Sequence, residues 1–122
     1  MKSEDDERIR FAIANKRLLR LTLRGLTRLV EPHDYGLKKG VPQLLAFQVG
    51  GMSNSGGLPN WRWILLGQTT DVVVLEDTFA GGRGASSRKH SDWDELYARV
   101  DDPPRLRLIY SRAAESERTR GR

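Results

Sequence analysis

The sequence predicts a mainly β domain: a small, five-stranded antiparallel barrel with a helix before it and a short helix after it. Three observations carry this. The apolar spacing changes from a helical period to strict alternation near Lys16, and short apolar runs then recur about every eight to fifteen residues between turn signals. The third observation is size. A chain of 122 residues is one ordinary domain, able to bury roughly two thirds of its unfolded surface, and strands in so small a chain favour a closed or nearly closed barrel over a sheet with bare edges.

Taken in order, "SEDDERIRFAIANKR" places an acidic first turn after Ser3 and sets Ile9, Ala12 and Ile13 on one stripe, with Lys16 and Arg17 at the far end. Cap, charge and apolar face agree on an amphipathic helix over about residues 4–15. In "LLRLTLRGLTRLVEP", Leu19, Leu21 and Leu23 alternate with Arg20, Thr22 and Arg24, and Gly25 interrupts the run, which reads as a hairpin. Pro32 lacks a ladder donor, so the second strand must bend or lie at an edge around "EPHDYG".

The turn "LKKG" leads to a third strand in "VPQLLAFQVGG", and "MSNSGGLPN" reads as a flexible loop of small and polar residues. "WRWILLG" and "DVVVLED" supply the fourth and fifth strands, so the barrel is expected over about residues 18–77. The unbroken valines of the fifth point to burial on both faces. "AGGRGASSRKH" reads as a linker or lobe, and "SDWDELYARV" has a Ser cap with Trp93, Leu96, Tyr97 and Val100 at helical spacing. A last strand can follow in "RLRLIYS". One domain over residues 1–110 with a flexible, charged tail over 111–122 is the resulting organisation.

Composition narrows the functions. The chain has 21 Lys and Arg against 16 Asp and Glu, a net charge of +5 and a pI near 10.0, with both signs interspersed. That is a mild basic bias, compatible with an anionic partner. There is no cysteine, and the two histidines stand far apart; a thiolate zinc site and a disulfide framework are excluded, and neither metal nor cofactor is expected. The start "MKSEDDERIRF" is too acidic for a signal peptide, and no apolar run approaches the roughly 20 residues of a membrane span, so a cytoplasmic location without membrane contact is expected.

The order of helix, "KRLLRLTLRG", "RLVEPHDYG", "QLLAFQV", "WRWILL" and "DVVVLEDTF" resembles the WYL domain family over roughly residues 8–79. The resemblance implies an SH3-like or Sm-like five-stranded barrel behind an N-terminal helix. In bacterial regulators such a domain usually stands behind a DNA-binding helix-turn-helix, which this chain does not show, because a single helix precedes the first strand. The resemblance further implies a ligand-sensing module whose basic pocket takes nucleic acid or nucleotide-type ligands. By position, Arg28 stands at the family's strand-two arginine, Pro32 and His33 at the bend, and Arg62 at the start of its later basic run. Leu23 replaces a common tyrosine, Pro42, Gln43 and Leu44 replace the naming triplet with only the leucine kept, and Leu65 and Gln68 stand where basic residues are expected.

The residues can also be weighed by themselves. If Arg24 and Gly25 form a two-residue turn, Leu21 faces Arg28, which then shares a face with the leucines and needs a partner. That partner is either a carboxylate (Glu31, Asp34 or one from the helix) or a ligand phosphate. His33 and Tyr35 are two apart and point the same way in an extended segment, as a polar group and an aromatic plate able to stack on a base, or else as a loop histidine and a packing tyrosine. Trp61 and Trp63 share one face and Arg62 the other; a core position for the indoles turns Arg62 outward, and the converse makes the indoles rim. Lys38, Lys39, Arg83, Arg88 and Lys89 are looser basic residues in loops. No nucleophile with a positioned base stands out.

The sequence therefore predicts a non-enzymatic binding module, regulatory in character, that takes single-stranded nucleic acid, an oligonucleotide or a nucleotide through Arg28, His33, Tyr35 and Arg62. The alternative is a protein-interaction or homo-oligomer-forming barrel joined through tryptophans and strand edges.

Overall fold

The computed structural model describes residues 3–52, 59–83 and 93–103. The "MSNSGG" loop from Ser53 on, the basic residues Arg88 and Lys89, the expected last strand "RLRLIYS" and the charged tail lie outside the described residues. Within them the chain is mainly β, with six antiparallel strands in one open sheet and one N-terminal helix.

Helix α1 (Ser3–Ala14) carries Glu4, Asp5 and Asp6 in its first turn, where they complement the helix dipole, and buries Ile9, Ala12 and Ile13 on the sheet. It ends at Lys16, whose φ of 52° is left-handed, and the chain passes at once into β1 (Arg17–Leu23). Strand β1 pairs with β2 (Leu26–Lys38) across Arg24 and Gly25, both at positive φ (52° and 78°). That is the backbone of a two-residue turn whose twist matches its strands. Leu21 faces Arg28, as the alternation requires. Lys39 and Gly40 repeat the turn (φ 52° and 77°) into β3 (Val41–Gly51).

Strand β2 continues without a break through Pro32, with register shifts against β3 at Leu29/Val30 and Pro32/Asp34. One of its edges has two successive partners. Strand β1 covers it as far as Val30, and β6 (Glu95–Arg99) takes over from Asp34. Pro32 falls in the gap between them, where a missing backbone donor disrupts pairing least.

The expected helix around residues 91–100 is not what forms: Glu95–Arg99 is a strand. Three things favour this over local helical spacing. The second half of β2 offers unpaired backbone, and Asp34 offers a carboxylate to Arg99. Gly36 offers space, since a Cβ there would lie 2.2 Å from the Glu95 carbonyl oxygen. An apolar repeat of barely two turns does not outweigh these tertiary partners.

Strand β4 (Asn60–Leu65) pairs with β3, and β5 (Thr69–Thr78) with β1, giving the order β4-β3-β2-β1-β5. The two ends of this path are joined by a three-residue 3-10 turn, Leu66–Gln68, so Leu65 and Thr69 are at most about 14 Å apart. The sheet therefore curls strongly, yet among the described residues no β4–β5 pairing closes it into the expected barrel. Because β5 lies at an edge, only Val72 of its valines is fully buried, against the expectation of burial on both faces. The core gathers Ile9, Ile13, Leu19, Leu21, Val30, Leu44, Ile64 and Val100 inside the curl.

Candidate anion site

The carboxylates expected to pair with Arg28 are already taken. Asp34, fully buried, accepts from Nε and Nη2 of Arg99 at 3.0 and 3.1 Å. Glu31 accepts from Nε and Nη2 of Arg83 at 2.8 and 2.9 Å. Asp6 on α1 accepts from Arg10 and, at 2.6 Å, from the Tyr35 hydroxyl. The Arg99 and Arg83 pairs are bidentate, fork to carboxylate, whereas Arg10 reaches Asp6 through Nε alone.

Arg28 is 6% exposed and sits on the leucine face. Its Nη1 donates to the side-chain oxygen of Gln48 at 3.3 Å, and its Nε is buried with no partner. Gln48, fully buried on β3, accepts at the same oxygen from Nε of Arg62, also at 3.3 Å. The Gln48 amide nitrogen donates to the carbonyls of Gly50 and Met52, each at 3.0 Å. Those two bonds orient the amide so that its oxygen meets the guanidinium groups.

Arg24, beside the first turn, donates from Nε to Gln68 at 3.0 Å. Among the described residues neither Arg24 nor Arg28 forms an ion pair. Burial first, and then the charges of Arg62 and Arg24, push the Arg28 guanidinium below its ordinary pKa. It still carries its charge at any physiological pH.

Arg24, Arg28 and Arg62 line one cavity of about 280 Å³. The other described residues of its wall are Leu23, Trp63, Leu65 and Gln68, so Leu23, Leu65 and Gln68, which depart from the WYL pattern, stand around the same space as Arg28 and Arg62. A larger groove of about 1040 Å³ runs between α1 and β5. It presents Glu4, Asp5 and Asp71 against Arg8, a net negative charge among its described residues that is wrong for an anion.

His33 and Tyr35 do not line the cavity. The His33 ring is fully buried, edge-on to Trp61 at 4.8 Å and near Phe79 at 5.5 Å, with Nε2 3.4 Å from Glu31. Glu31's carboxyl is raised by burial and, more strongly in sum, lowered by His33 and Arg83, so its pKa lies below the ordinary value. Tyr35 packs on Tyr97 at 5.2 Å with its ring 1% exposed, which leaves no face for a base. The bulge at Pro32/Asp34 changes the register between them, and each is held by a different element of the core.

Of the two arrangements open for this strand, Arg62 takes the one that turns it inward. It pairs across from Ala46 and shares the core-side face with Ile64, while Trp63 is 37% exposed on the other face, beside Trp93 and under Lys38 Nζ at 4.0 Å. Gln48 was not anticipated. Its signal was a polar residue on an otherwise apolar strand face in "LLAFQV", which needs partners to be buried.

No described helix is long and apolar enough to cross a membrane, and no metal-binding cluster occurs among the described residues. No family model, curated protein or solved structure matches the chain.

Proposed function

We propose that the chain is a non-enzymatic, WYL-like module that binds an anionic ligand of the nucleotide or single-stranded nucleic-acid type at Arg24, Arg28 and Arg62. The observation that carries the reading is the buried Arg28, paired with a neutral amide oxygen while the two carboxylates of its own strand, Glu31 and Asp34, serve Arg83 and Arg99 and no ion pair of Arg28 occurs among the described residues. A buried cation without a counter-charge is costly, and a bound phosphate supplies the missing charge and an acceptor for Nε. The curled sheet is compatible with an SH3-like or Sm-like barrel, and the WYL resemblance implies a ligand role for Arg28 and Arg62. A cytoplasmic, regulatory role fits that resemblance and rests on it.

Binding of short single strands measured over a salt series tests this. The slope of log affinity against log salt should shrink by roughly 0.7 for each phosphate contact removed by Arg28→Ala or Arg62→Ala. Folded variants that bind as tightly as the parent at every salt concentration refute the reading. A second reading, a homo-oligomer or protein-binding module, draws on the edge position of β4 and β5 and on exposed Trp63 and Leu96. A concentration-dependent oligomer indifferent to phosphate ligands favours that one.

A further inference from the structure

We infer that the cavity of Arg24, Arg28 and Arg62 receives a phosphomonoester end, the terminal phosphate of a nucleotide or of a strand, rather than the internal diesters of a passing chain. The inference rests on the anion-binding reading above and narrows it to one ligand chemistry.

Depth is the first argument. Arg28 is 6% exposed, and the space beside it is about 280 Å³, near the lower limit of pockets that hold small molecules. An internal diester carries a substituent on each side, and both must enter before its free oxygens approach a buried guanidinium. A terminal phosphate has one tether and enters end-on.

Charge is the second. Three guanidinium groups line the cavity, and among the described residues its lining includes no carboxylate or imidazole. A diester brings one negative charge. A monoester brings between about 1.5 and 2 at neutral pH, on three acceptor oxygens. Its greater charge offsets more of the burial, and of the repulsion from Arg62 and Arg24, that lower the Arg28 pKa.

Pre-organisation is the third. Gln48 is fixed by the Gly50 and Met52 carbonyls and holds Arg28 and Arg62 on one oxygen atom. The two guanidinium groups are thus held side by side before any ligand arrives, which lowers the ordering cost of binding a compact group. Leu23 and Leu65 give the described wall apolar surface, suited to the sugar that follows the phosphate.

The test is calorimetric titration of the full chain, at one ionic strength, with a short single strand in four forms: 5′-phosphorylated, 3′-phosphorylated, hydroxyl at both ends, and circularised. A nucleoside 5′-monophosphate is the fifth ligand. At least one phosphorylated end should bind about tenfold or more tightly than the hydroxyl-ended strand, and the circle should bind no better than the latter. The advantage should grow from pH 5 to pH 7 as the monoester loses its second proton near pH 6, and Arg62→Ala should remove it. Arg62 is more exposed than Arg28 and its variant keeps the test available if Arg28→Ala fails to fold. A monophosphate as tight as the phosphorylated strand assigns the end to a free nucleotide; a weaker one assigns it to a strand. Equal affinity for all four strands, still weakened by Arg62→Ala, overturns end recognition and leaves the anion site standing. No affinity for any of the five ligands overturns both.

Discussion

The buried guanidinium of Arg28 meets the neutral amide oxygen of Gln48, 3.3 Å from its Nη1, where a buried cation ordinarily meets a carboxylate. Replacing that amide by an internal carboxylate should occupy the arginines permanently. Gln48→Glu is therefore expected to weaken binding of inorganic phosphate or a nucleotide by at least about tenfold. Calorimetric titration of variant and parent at one salt concentration checks this, with circular dichroism confirming that both are folded.

Strand β6 is held to β2 by close approach as well as by hydrogen bonds. A methyl group at Gly36 would meet the Glu95 carbonyl oxygen at 2.2 Å and the Trp93 ring at 3.0 Å. Gly36→Ala should cost about 1–3 kcal/mol and raise amide hydrogen exchange in Glu95–Arg99 ahead of the remaining strands. At Gly25 nothing lies within 4 Å of an added Cβ, but φ is +78°. Gly25→Ala should cost about 1–2 kcal/mol through backbone strain and leave β6 protected.

Arg99 is the sole described ion-pair partner of fully buried Asp34. Breaking a buried pair from one side costs about 3–5 kcal/mol, but the Arg99 side chain is 46% exposed, so water moderates the loss. Arg99→Ala should lower unfolding free energy by about 2–3 kcal/mol, and less on an Asp34→Asn background, as a double-mutant cycle by denaturant titration will show.

The Tyr35 hydroxyl, then Arg10, hold the Asp6 carboxyl below its ordinary pKa against the opposing effect of burial. Glu31 also lies below its ordinary pKa. Groups depressed in the folded state contribute stability above their unfolded values and lose it as pH falls through the folded ones. Stability should therefore decline below about pH 4. Tyr35→Phe should flatten that acid limb and cost about 1–2 kcal/mol at neutral pH. Burial and Asp6 raise the Tyr35 hydroxyl well above its usual range, so its contribution is lost at the alkaline end, as pH climbs beyond about 10.

Local features legible in the sequence were those whose physics is local. The apolar stripe of Ile9, Ala12 and Ile13, the alternation of Leu19, Leu21 and Leu23, and the Arg24–Gly25 and Lys39–Gly40 turns each follow from side-chain period or backbone sterics within a few residues. Even the pairing of Leu21 with Arg28 follows, since a two-residue turn sets the register. The fate of Glu95–Arg99 does not, because its spacing suits a helix and only the vacant edge of β2, Gly36 and Asp34 make it a strand. The same holds for the site. Arg28 was visible as a cation on an apolar face, but which carboxylates other arginines would claim, that Tyr35 and His33 would close into the core, and that Gln48 would bring Arg28 and Arg62 to one oxygen depend on residues far apart in the chain. Competition among side chains for a limited set of partners is settled by the packed arrangement of the whole domain, since a buried polar group goes unsatisfied or satisfied according to what the fold brings within hydrogen-bonding reach.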